Sequence, residues 1–243
     1  MLRNILTTLG LSLCLISGSS AETAAAGSTD TLKNFHVSYT LKKGSFTIGE
    51  TRRSLTTSNT GVRVFESVTK PTGLGRLFTS GEVVERSEWQ YAGNAPRPAK
   101  YTYLDTSRKE PRKVELSFDW DANRVTNTIN GDPWRMELTP DTQDKLLYQL
   151  HMMLDLTAGK EELSYFIADG GKLKNYAFEI LSAQNVKTEL GTFNAVPVRR
   201  ISGKRITTLW CAEALNYLPV RIEQRKGKES PVIATISAVQ GLP

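Results

Sequence analysis

Thr139 to Gly159, TPDTQDKLLYQLHMMLDLTAG, is the one stretch beyond the N-terminal leader that reads as a helix in a chain otherwise patterned as strands. Thr139 suits the N-cap, Pro140 the first helical position, Asp141 and Asp144 the positive end of the helix dipole, and Gly159 a left-handed stop. At roughly 100° per residue, Leu146, Leu147, Leu150, Met153 and Leu154 fall within an arc of about 120°, while Lys145, Tyr148, Met152 and Asp155 point the other way. One face is therefore expected to be buried. A lone amphipathic helix among strands buries such a stripe only against a sheet or inside a curved one.

Towards the N-terminus, Arg3 precedes a mostly apolar run from Ile5 to Ile16, and Ser17-Gly18-Ser19-Ser20-Ala21 supplies the small residues that a signal peptidase reads. Residues 1–21 are expected to be a signal peptide cut after Ala21. The run is shorter than the roughly 20 apolar residues of a membrane span, and no later stretch is apolar enough for one. Cys14 follows Leu13 rather than a small residue, so a lipoprotein cut is not indicated, and removal of the leader leaves Cys211 as the one mature cysteine. An internal disulfide is then excluded, and a lone strand cysteine reads as a small buried hydrophobe. The expected location is the periplasm.

The whole chain has 31 Lys and Arg against 25 Asp and Glu; without Arg3 the balance is 30 against 25, a net +5. The basic pairs Arg52-Arg53, Arg108-Lys109, Arg112-Lys113, Arg199-Arg200 and Lys204-Arg205, with Arg225-Lys226-Gly-Lys228, lie near turns and are interleaved with acids. Charged edges and loops account for them, with an anionic envelope surface as the alternative partner. Nucleic acid is excluded as a partner by export and by the lack of a recognition helix or aromatic motif.

Residues 22–33 are small and polar, a flexible leader into a single β-rich domain over 34–243. Alternation begins at once, with Phe35, Val37, Tyr39 and Leu41 on one face and His36, Ser38 and Thr40 on the other. Segments of this kind recur through Pro231–Val239, separated by turns such as Asp121-Ala122-Asn123, Asn130-Gly131 and Asp169-Gly170-Gly171. About a dozen short strands with one helix predict an all-β to α+β fold. Its form is a strongly curved antiparallel sheet or half-open barrel, the helix packed inside or across it.

Catalytic chemistry is poorly supplied. His36 and His151 are the two histidines, no Gly-x-Ser-x-Gly elbow occurs in the mature chain, and one cysteine does not make a structural zinc site. Gly73-Leu74-Gly75 lacks the third glycine of a dinucleotide fingerprint. Glu85, Asp119, Asp121 and His151 are the groups on which a hydrolase reading would rest. No catalytic residue, metal ligand or cofactor is assigned. What remains is apolar: in a half-open barrel, Leu146, Leu150 and Met153 of the helix and Trp120, Trp134 and Trp210 of the strands would line a cavity suited to an acyl chain, whereas in a small closed barrel they fill the core.

Three passages, Leu190–Arg200, Thr208–Ile222 and Gln143–Leu150, together with Tyr39–Gly49, resemble the bacterial exported family of domain of unknown function 3108. The resemblance implies a β-rich envelope domain and carries no catalytic residue. A curved sheet around a helix is also similar to the fold of periplasmic lipoprotein carriers, a likeness of architecture alone. The leading expectation is a non-enzymatic periplasmic protein that binds an acyl chain or other amphipathic envelope molecule in a helix-capped β cavity. Its alternatives are a packed scaffold or polysaccharide- or protein-binding domain without a pocket, and an envelope hydrolase. Oligomeric state is not encoded in any of these patterns.

Overall fold

The computed structural model describes residues 32–243. The proposed signal peptide, Cys14 and all but the last two residues of the proposed leader lie outside them. Leu32, from the end of that leader, is buried, its N–H donating to Tyr91 Oη at 3.0 Å and its carbonyl accepting from Arg63.

Eight strands precede the helix: β1 (Phe35–Lys43), β2 (Phe46–Thr57), β3 (Arg63–Pro71), β4 (Val83–Ala92), β5 (Ala95–Asp105), β6 (Arg112–Asp119), β7 (Arg124–Ile129) and β8 (Asp132–Glu137). After helix α1 (Tyr148–Thr157) come β9 (Leu163–Asp169), β10 (Lys172–Ile180), β11 (Gln184–Thr188), β12 (Gly191–Ser202), β13 (Arg205–Ala212), β14 (Leu218–Lys226) and β15 (Val232–Gln240). All pair antiparallel in the order β8-β7-β6-β5-β4-β3-β2-β1-β15-β14-β13-β12-β10-β9, with β11 beside β12. Among the described residues the expected curved sheet with one α-helix is what forms, with fifteen strands rather than about a dozen. The first and last strands lie side by side, so the two runs of hairpins before and after α1 join into one surface.

The sheet is open, and its edges β8 and β9 approach each other. Trp134 of β8 sets its indole over Gly171 in the β9–β10 turn, where a Cβ would stand 3.3 Å from Cε2. Between the edges runs the chain leading to α1. Gln143 donates its N–H to the Phe166 carbonyl at 2.7 Å and accepts from the Ala168 N–H at 2.9 Å, a parallel bridge on the free side of β9.

That bridge corrects the expected helix start. Thr139 does not cap a helix; it forms a turn with Thr142, whose N–H donates to its carbonyl at 3.0 Å, and the α-helix begins only at Tyr148. The competing partner is β9, whose backbone claims Gln143. Asp144 does the capping instead, Oδ1 accepting from the N–H groups of Leu146 at 2.8 Å and Leu147 at 2.7 Å. The stop is where the sequence places it: Gly159 has φ +72° and Lys160 N–H donates to the Asp155 carbonyl at 2.9 Å.

A second correction concerns the helix faces. Leu146, Leu147, Leu150 and Met153 enter the main core with Phe35, Tyr39, Leu55, Phe65, Trp89 and Tyr101. Tyr148, Met152 and Asp155, expected to point to water, are buried as well. Tyr148 and Met152 join Leu156, Tyr165, Ile167, Tyr176, Val198, Leu209 and Cys211 in a second cluster. The curled sheet contacts α1 from both sides, so a helix whose pattern is only partly amphipathic is enclosed. Asp155 tolerates this by accepting from Tyr165 Oη at 2.9 Å and pairing with Lys160 Nζ at 2.7 Å.

The prolines of β5 keep to a locally unpaired edge. β6 pairs with β5 only from Lys100 onward, so the outer side of Ala95–Ala99 has no strand partner. Side chains take its carbonyls: Gln143 Nε2 donates to Pro96 at 2.8 Å and Trp120 Nε1 to Pro98 at 2.7 Å.

Candidate functional site

Each helix residue proposed for a ligand cavity is buried among core side chains: Leu146, Leu150 and Met153 belong to the main core. Trp120 and Trp210 pack against its margin. Trp120 stacks on Phe118 with its ring centroid 6.0 Å away and lies under the Arg97 guanidinium at 4.3 Å. Trp210 lies beneath Arg221 and helps to line a shallow groove of about 240 Å³ with Pro197, Arg199 and Arg225. Trp134 is 58% exposed at the seam. The six residues are thus spread over the core, two parts of its margin and the sheet edge.

The large concavity lies on the other face of the sheet. It is a cleft of about 1110 Å³. Its floor is built by the period-2 alternation of β15, β1, β2 and β3, whose odd partners Phe35, Val37 and Tyr39 face the helix. Register sets the floor in rows: Gln240, His36, Ser54 and Glu66 lie across neighbouring strands, then Ala238, Ser38, Arg52 and Val68, then Glu50 and Lys70. The rim comes from Thr72, Arg76, Ser80, Gly81 and Glu82, with Thr106 beside Glu82, to whose carbonyl its N–H donates at 2.9 Å. The rim segment stays in place because the 3-10 helix Gly73–Leu77 presses on β2; Thr72 N–H donates to the Ile48 carbonyl at 3.2 Å. Only glycine fits at position 75, where a Cβ would fall 1.8 Å from the Ile48 carbonyl oxygen.

Charges in the cleft are interlocked. Arg52 Nε meets Glu50 Oε1 at 2.7 Å, Lys70 Nζ meets Glu82 at 3.0 Å, and Arg86 reaches Glu66 at 3.4 Å. Such exposed pairs exchange partners at little cost, each being worth about 0–1 kcal/mol. No Trp, Tyr or Phe lines the cleft. Alternation alone puts His36 and Ser38 on a polar face, and Arg52 belongs to a basic pair, but their assembly with β3 and β15 depends on pairings that no local pattern reveals.

A polar layer also lies inside, between sheet and helix. Ser87 Oγ donates to Asp144 Oδ2 at 2.5 Å, Arg53 Nη1 to Gln149 Oε1 at 2.7 Å, and Tyr101 Oη to Glu85 at 3.0 Å. Burial pushes the Asp144 carboxyl up to about 6, although Ser87 and the two helix N–H groups pull it down. These bonds anchor the start of α1.

The groups of a hydrolase reading have separate partners. Asp119 accepts from the Ala122 N–H and faces Arg124, Asp121 is exposed in the β6–β7 turn, Glu85 serves Tyr101, and His151 Nε2 is 3.7 Å from Asp155. Burial holds His151 below its ordinary value against the pull of Asp155. Cys211 is buried in the cluster beside α1, its thiol pushed up to about 12 by burial. Among the described residues no group of three or more His, Cys, Asp or Glu is placed to share a metal ion, and no helix is long and apolar enough to cross a membrane.

The architecture matches a solved one. A crystallised β-barrel-like protein of domain of unknown function DUF1849 from Brucella abortus superposes with a TM-score of 0.58 at 8% identity, covering 87% of this chain and 98% of that chain. That likeness shows the fold alone. The MucA/MucB complex of Pseudomonas aeruginosa gives a TM-score of 0.18 at 9% identity, too loose to carry an argument. No curated protein matches in sequence. The family model for DUF3108, a protein family of unknown function, matches residues 34–230, and the chain belongs to that family.

Proposed function

We propose that this is an exported, non-enzymatic binding protein of the bacterial envelope that holds an extended, mixed-charge polypeptide segment of a partner in the outer cleft. The observation that carries the reading is the cleft itself: about 1110 Å³, floored by rows across the strands that mix cationic, anionic and hydroxyl side chains. Small-molecule pockets run to about 300–1,000 Å³ and are mostly apolar. Cations and anions set at strand spacing suit an extended chain, and the lack of aromatic platforms disfavours a neutral glycan. Export and periplasmic residence are part of the proposal and rest on the pattern of residues 1–21.

Full burial of Leu146, Leu150 and Met153 favours a filled core over an acyl-chain cavity. The test is a photo-crosslinking residue at Ser54, on the cleft floor, compared with one at Lys187 on β11. The proposal expects a discrete polypeptide adduct at Ser54 that Arg52→Glu weakens, and none at Lys187. Equal labelling at both sites would sink it. A lipid released when the native protein is unfolded in the mass spectrometer would restore the acyl-chain reading.

A further inference from the structure

The antiparallel registers gather one set of turns at one end of the sheet: those after β1, β3, β5, β7, β9, β12 and β14. These turns and the strand ends beside them carry Lys42, Lys43, Arg76, Lys109, Lys204 and Lys228, all exposed and none in an ion pair among the described residues. The turns at the opposite end carry Asp121, Glu189 and Glu213. The first end also carries Glu110, Asp132, Asp169 and Glu229, but cations outnumber acids there, whereas the opposite end mixes Glu161 and Glu162 with Lys160 and Lys187.

Apolar exposure follows the same axis. Among the described residues, six of the nine exposed large hydrophobic residues, Phe46, Leu74, Leu77, Phe78, Leu104 and Ile201, belong to the basic end. Leu77 is 78% and Phe78 85% exposed, on and just after the 3-10 helix Gly73–Leu77. That helix lies against the first residues of β2, with the Gly73 Cβ position 2.9 Å from the Thr47 carbonyl oxygen, which brings Phe46 alongside. Neither Gly44–Ile48 nor Thr72–Ser80 contains an acid. Exposed single apolar residues need no explanation, but a group of them in two adjoining segments that carry no acid does.

We propose that this end of the protein docks on an anionic phospholipid surface, Leu77 and Phe78 entering the headgroup boundary while Lys42, Lys43 and Arg76 meet the phosphates. Cations at an anionic leaflet and apolar side chains at its boundary are the two contributions that together hold a peripheral protein. Both are present here on one surface, and the opposite end, where acids and bases mix, faces away. Arg76 also stands on the rim of the cleft, whereas Lys42, Lys43, Leu77 and Phe78 do not line it, so variants of these four test docking apart from the cleft's ligand.

The test is co-sedimentation of the full chain, expressed and purified as the cell processes it, with phosphatidylglycerol vesicles and with phosphatidylcholine vesicles. The wild type should bind the first and not the second, and added salt should weaken binding. The double variant Leu77→Asp/Phe78→Asp should lose on the order of tenfold or more in affinity. Lys42→Gln/Lys43→Gln should lose roughly fivefold per cation. Every variant carries the same N-terminal segment, so differences between them read this end alone, and unchanged circular dichroism and thermal midpoint show an intact fold. Failure of the wild type to bind phosphatidylglycerol, or equal binding by Leu77→Asp/Phe78→Asp, overturns the proposal. So does a wild-type dimer that this variant converts to monomer, which would assign the patch to a second copy.

Discussion

Ser87 Oγ on β4 donates to Asp144 Oδ2 at 2.5 Å, joining the floor of the sheet to the cap of the buried helix. Asp144 also accepts the N–H groups of Leu146 and Leu147, so one fully buried carboxyl closes three bonds. Ser87→Ala should cost about 1–3 kcal/mol by removing a donor from a buried acceptor, measured by urea unfolding at pH 7.

The pH dependence of Asp144 has a definite sign. Its folded value of about 6 exceeds the ordinary 3.8, so the folded state holds the proton more tightly. Stability from this group is fully present below about 3.8 and is lost as pH rises through about 6. Asp144→Asn abolishes the titration. The wild type should therefore gain on Asp144→Asn by on the order of 2 kcal/mol as pH falls from 7 to 4, seen by comparing their unfolding curves. A difference independent of pH would contradict the assignment.

His151 works in the opposite direction. Its folded value lies below the ordinary 6.5 because of burial, so below that pH the unfolded chain takes up a proton that the folded one resists. Stability from this source is lost as pH falls from 6.5. His151→Gln should lose less stability than the wild type between pH 7.5 and pH 5, read from thermal midpoints at matched ionic strength.

Cys211 is enclosed beside Tyr165 and Leu209, and its thiol is pushed up to about 12. Thiolate is the reactive form. Labelling of Cys211 by a thiol reagent at pH 8 should be negligible in the native protein and complete in denaturant; native labelling at the denatured rate would show the burial to be wrong.

Leu150 is wholly buried in the main core. Leu150→Ala should cost about 2–5 kcal/mol through lost contacts and an uncollapsed cavity. Crosslinking from Ser54 in the cleft should survive, since the two sites lie on opposite faces of the sheet. Loss of crosslinking in a folded variant would tie the ligand to the helix after all.

The strand pattern was largely legible because alternation of burial is local: Phe35, Val37 and Tyr39 face inward, and His36 and Ser38 outward, as their period requires. The helix was legible only in part. Gly159 ends it by its own backbone freedom, whereas its beginning depends on whether β9 competes for Gln143. Burial of Tyr148 and Asp155 likewise required partners from β9 and β10, which come later in the chain.

The cleft was not legible, since it needs His36 opposite both Ser54 and Gln240. By itself the sequence determined the alternation of strand faces, the turns, the single helix and its glycine stop, for each depends on residues within a few positions of one another. Tertiary structure alone decided the joining of β1 to β15, the enclosure of both helix faces, the rows of the cleft and the gathering of cations and exposed apolar residues at one end. Those depend on which strands pair, and pairing is settled by the global burial of apolar surface rather than by any short stretch.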